Sequence, residues 1–136
     1  MKVKWVNWCP VFIIYTEKFL KGYGGHAWLY GPLCFILINP KYREDLGLLH
    51  HELTHVEQHH RSWWFHTYNY ATCTKYRLES EAEAFAVQLT YAPAEKCQEY
   101  YHTAVDIMLS KYRLPYSKEV IQKTLNRWLK VKDPHP

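Results

Sequence analysis

The chain has 136 residues, 48% hydrophobic and 17% aromatic, with 17 Lys+Arg against 13 Asp+Glu for a net charge of +4. Apolar content of that order excludes a disordered chain, and the length suits a single domain over residues 1–136 with a core of its own. The scattered, modest charge gives no reason to expect a nucleic-acid partner, and no apolar run reaches the roughly 18 residues that cross a bilayer.

From the N-terminus, Val3 to Trp8 alternates like a strand, and Val11 to Tyr15 is a β-branched and aromatic run behind Pro10. No small-residue cleavage pattern follows Lys2 and Lys4, so no signal peptide is expected, and the chain reads as cytoplasmic without a membrane anchor. Gly22, Gly24 and Gly25 mark a turn. Residues 26–30 and 33–39 then read as a strand pair or one bent strand, broken at Gly31-Pro32. The run Cys34 to Ile38 fits either a cleft-edge strand, where a peptide adds as an extra strand, or a central one.

A helix is expected from about Tyr42–Glu44 to His60, and it contains His51-Glu52-Leu53-Thr54-His55. In this H-E-x-x-H string the two imidazoles sit one helical turn apart on one face and can meet a common ion. Glu52 leaves in a neighbouring direction, suited to touching a water on that ion without ligating it. Leu46, Leu48, Leu49, Leu53 and Val56 embed the string in a core, where imidazoles need partners. Two His and one further donor leave Zn²⁺ an open position, which is the catalytic arrangement.

Residues 61–74 are aromatic and polar, and fit loop or helix. Tyr76 to Leu89 reads as a second helix without Gly or Pro, with Leu78, Ala82, Phe85, Ala86 and Leu89 as its apolar stripe. Glu79 and Glu83 share a face bordering that stripe. Glu81 is rotated by roughly 160–200° from both and is expected to face water. Further helices are expected over about Ala94–Lys111 and from a Ser117 cap to Leu129, with a frayed end over 133–136. Cys9, Cys34, Cys73 and Cys97 form no C-x-x-C pair and read as free thiols.

An H-E-x-x-H helix followed by a Glu-bearing helix resembles the gluzincin metallopeptidases. The stretch Glu79-Ser80-Glu81-Ala82-Glu83-Ala84-Phe85-Ala86 is similar to the E-x-x-A-D-x-x-A pattern of CAAX prenyl endopeptidases and their membrane-protease relatives. The resemblance, confined to about residues 48–90, implies Glu79 as third metal ligand and Glu83, standing where that family has Asp, as the carboxylate supporting a metal His. His51 to Gln58 also resembles small phage and bacterial zincin-like proteins. The expectation is an α+β, minimal zincin-like fold, in which a small antiparallel or mixed sheet packs on the metal helix. One Zn²⁺ is expected, held by His51, His55 and Glu79, with Glu52 as general base in hydrolysis of a peptide or protein substrate. Tyr68, Tyr70, His66 and His102 are candidates for steadying the oxyanion. The rival reading is a zincin-like binding module, phage or mobile-element encoded, that holds metal without turnover.

Overall fold

A computed structural model of the chain describes residues 1–132, so the expected fraying over 133–136 lies outside the described residues. The fold is α+β, and the chain forms two compact units, Met1–Tyr68 and Asn69–Pro136.

The first unit holds β1 (Lys2–Val6), β2 (Cys9–Tyr15), β3 (Gly25–Tyr30) and β4 (Leu33–Ile38), then α1 (Leu46–Arg61). The strands lie in the order β1-β2-β4-β3. β1 and β2 form one antiparallel hairpin and β3 and β4 another, and the parallel pair β2–β4 joins them, with Val11 opposite Cys34. The sheet is therefore mixed. Of the two readings left open for Cys34 to Ile38, the central one holds: β4 is flanked on both sides, and β3 is the edge.

Alternation of side chains puts Val11, Ile13, Cys34, Ile36 and Ile38 on one face, where Leu53 and Val56 of α1 join them in a core. Burial of each such side chain contributes about 1.5–3 kcal/mol. Asp45 starts α1 by accepting from the Leu48 backbone N–H at 2.8 Å, which satisfies an orphan donor of the first turn. Arg61 closes the helix, where positive charge suits the dipole.

α2 (His66–Thr72) occupies part of the aromatic stretch whose state was open. The second unit continues with α3 (Thr74–Leu89), α4 (Cys97–Lys111) and α5 (Lys118–Lys132). Its core is built by Leu78, Ala82, Phe85 and Ala86 of α3, Val105 and Met108 of α4, and Ile121 and Leu125 of α5. Cys73 caps α3 with its sulfur, which accepts from the Tyr76 N–H, and the Ser117 hydroxyl accepts from the Val120 N–H at the start of α5. Val120, in the first turn of α5, is exposed. All four cysteines are free thiols.

Candidate metal centre

The middle of α1 is buried almost all round: His51, Glu52, Leu53, Thr54, His55 and Val56 are each 8% exposed or less. Leu53 and Val56 face the sheet. His51, His55 and Gln58 follow one another along a different side of the helix at spacings of four and three. The two imidazoles stand edge to face, with ring centroids 5.0 Å apart. His55 Nδ1 is 2.9 Å from Gln58 Oε1. Because an amide oxygen only accepts, Nδ1 carries the proton and donates, and Nε2 keeps the lone pair a metal needs. His66, the first residue of α2, is also buried, its ring 5.6 Å from that of His55.

Glu52 points from α1 toward the start of edge strand β3. A Cβ built on Gly25 would lie 2.8 Å from Glu52 Oε1 and 3.0 Å from its Cγ. The carboxylate rests directly on backbone, in space that any side chain at position 25 would fill. Gly25, expected in a turn, opens β3 instead. The signal available was only a glycine opening a strand, which marks close backbone approach.

In α3 the three glutamates separate sharply. Glu79, expected as third ligand, sits on the outer side and bonds to α5: Arg127 Nη2 reaches both of its oxygens, at 2.6 Å to Oε1, and Trp128 Nε1 donates to Oε2 at 2.8 Å. Its side chain is 32% exposed. Glu83, expected behind a metal His, is buried and pairs with Lys132 Nζ at 2.8 Å. Glu81 corrects the expectation outright: placed in water by the single-stripe reading, it is 1% exposed. Helix α3 is buried on two faces, since Ser80, Glu81 and Ala84 are covered as well as the apolar stripe. One-stripe periodicity cannot register a second buried face made of small residues and a carboxylate. The small side chains of Ser80 and Ala84 around Glu81 were the available hint.

Tyr70 O–H donates to Glu81 Oε1 at 2.6 Å. Burial, then the adjoining Glu81 carboxylate, push the Tyr70 phenol far above its usual range, so it remains a donor. Arg77 holds Tyr70 in turn, its Nε donating to the Tyr70 carbonyl at 2.9 Å. Among the other candidate polar groups, Tyr68 is exposed, and His102, also exposed, accepts from Gln98 on α4 at 3.1 Å.

Among the described residues, one group of His, Cys, Asp and Glu side chains is suited to a metal ion: His51, His55 and Glu81, all buried, with one donor atom from each lying within 4.8 Å of the others. Zn²⁺ bonds of about 2.1 Å in a tetrahedron put donors about 3.4 Å apart, so small side-chain adjustments suffice. Two neutral imidazoles and a carboxylate also form the donor set of hydrolytic zinc sites. Comparison of the chain with protein-family models, curated proteins and solved structures gives no match.

Proposed function

We propose that this protein is a zinc-dependent hydrolase, most simply a peptidase, in which His51, His55 and Glu81 hold one Zn²⁺ and Glu52 is the general base. The observation that carries the reading is the buried His51/His55/Glu81 group, formed around an H-E-x-x-H helix whose Glu52 is not part of it. A site meant only to hold metal gains nothing from a second buried carboxylate beside its three donors; one that moves protons does.

When bound, Zn²⁺ acidifies a water and polarises a carbonyl. The chain's own residues do the rest. Gln58 fixes the His55 tautomer, and Tyr70 orients the Glu81 carboxylate by its hydrogen bond to Oε1. Glu52, immobilised against Gly25, accepts a proton from the attacking water and passes it to the leaving amine. His66, its ring 5.6 Å from that of His55, is a candidate for steadying developing oxyanion charge.

The test is Glu52→Gln. It should retain metal and fold while cutting hydrolysis of a casein or peptide-library substrate by about 10²–10⁴-fold. Turnover unchanged in that variant would remove the mechanism. Stoichiometric zinc in a wild-type protein that cleaves nothing would favour the metal-holding binding module instead.

A further inference from the structure

We infer that the peptide substrate carries acidic side chains, drawn in by a cluster of cations beside the seat of Glu52; the inference rests on the hydrolase reading. The parallel β2–β4 register brings Tyr15, Ile38 and Gly25 to one end of the sheet. Lys2 starts β1 at that end, opposite Ile13. Two connections leave it, one over residues 16–24 toward β3 and one over 39–45 toward α1. Asn39 N–H ties them together by donating to the Gly24 carbonyl at 2.8 Å. Lys18 and Lys21 stand on the first connection, Lys41 and Arg43 on the second, and with Lys2 all five are exposed.

These cations are held in place. The Arg43 guanidinium lies 4.6 Å from the centre of the Tyr15 ring and the Lys2 ammonium 5.9 Å from it, so one ring gathers two like charges. The Lys41 ammonium lies 4.8 Å from the centre of the Tyr42 ring. That ring abuts the entry to β3: a Cβ built on Gly24 would be 3.2 Å from Tyr42 Cδ2 and Cε2, and the next residue, Gly25, is the one on which Glu52 rests. The connection bearing Lys18 and Lys21 is anchored as well. Leu20 is buried, its carbonyl accepts from Tyr23 N–H at 2.8 Å, and the Phe19 ring packs on Trp28 of β3 with centroids 5.5 Å apart. Phe19 and Lys21 hold φ of 70° and 46°, a left-handed geometry uncommon outside Gly that marks positions held for a purpose. The same two connections contain Glu17, Glu44 and Asp45, and Asp45 is engaged in capping α1. Five cations against three acids leave a positive excess at the end where Glu52 sits, so an acidic side chain gains there and a basic one loses. At about 3.3 Å per residue of extended peptide, the cations meet side chains roughly two to four residues from the bond cleaved.

The experiment compares labelled peptides that share one core sequence and are flanked by Asp and Glu, by Ser and Asn, or by Lys and Arg. Binding is read by fluorescence anisotropy with the Glu52→Gln protein, which leaves the peptides intact, and cleavage by the wild type is read as kcat and KM. Exposed ion pairs are individually weak, so the few available here are expected to favour the acidic peptide over the basic one by about tenfold, falling toward equality in about 1 M salt. Reversing one cation on each connection, Lys21→Glu with Lys41→Glu, should invert the preference through KM and leave kcat for the neutral peptide unchanged. Lys21→Arg with Lys41→Arg should keep the preference. Equal binding of the three peptides, or a folded double Glu variant that still prefers the acidic one, overturns the proposal. Selective binding of the acidic peptide with no peptide cleaved removes the hydrolase reading and supports the charge preference. A DNA duplex that displaces the acidic peptide at a lower concentration of charge would assign the cations to nucleic acid and overturn it.

Discussion

Glu79 and Glu81 stand two positions apart on α3, yet of the two it is Glu81 that belongs to the buried group able to hold a metal ion. Glu79 is committed to Arg127 and Trp128 of α5, and it helps hold two helices together. Glu81 is buried and takes a hydrogen bond from a phenol that burial keeps protonated. The two should separate cleanly by mutation. Glu81→Gln is expected to lower zinc content after dialysis to near zero, and Glu79→Gln to leave it at the wild-type level, as read by plasma mass spectrometry. Equal zinc in wild type and Glu81→Gln would end the assignment. The H-E-x-x-H half of the site was legible because its two His and its Glu sit within one turn of helix, where spacing alone fixes geometry. The carboxylate half was not, because choosing among Glu79, Glu81 and Glu83 requires knowing that α3 is buried on two faces.

Strand β3 shows how an element, rather than a residue type, sets the position of Glu52, the proposed general base. Its first residue lies opposite Ile38 of the central strand, and Glu52 descends onto that residue's bare Cα. Gly25→Val is expected to retain the sheet and bound zinc but displace the Glu52 carboxylate, lowering turnover by about 10²-fold, the scale of effect for a misplacement of about 1 Å. Circular dichroism, zinc content and rate, measured together, check this; an unchanged rate would mean that Glu52 does not need its seat. At this scale the sequence was informative about type and vague about neighbours. The β-branched and aromatic runs and the caps at Asp45 and Ser117 locate elements through local physics. Whether β4 is central or at the edge depends on pairing with β2, which is not a local property.

Across the whole molecule, stability should carry the mark of three histidines outside the metal group. Burial lowers His50, His59 and His60 from their ordinary value, with Lys4 adding to the effect at His50. In the unfolded chain these groups take up protons near pH 6.5. The unfolded state therefore binds more protons as pH falls through about 6.5 toward the lower folded values, and stability is lost over that interval. Above it, their contribution is fully present. Melting temperature measured with a chelator, so that metal release plays no part, should fall between about pH 7 and about pH 5. His59→Gln should flatten part of that slope. A level profile in wild type would contradict burial of the neutral rings.

The parallel β2–β4 pair has a consequence in time as well as in space. Each hairpin is closed by a short turn and can form by itself within microseconds. The β2–β4 pair must close a longer stretch of chain before any of its bonds is made, so it forms late and sets the pace of sheet assembly. A slip of one residue at that step would turn the inner face of one hairpin outward. The slowest event in building the sheet is thus also the one that decides which side of each hairpin becomes core.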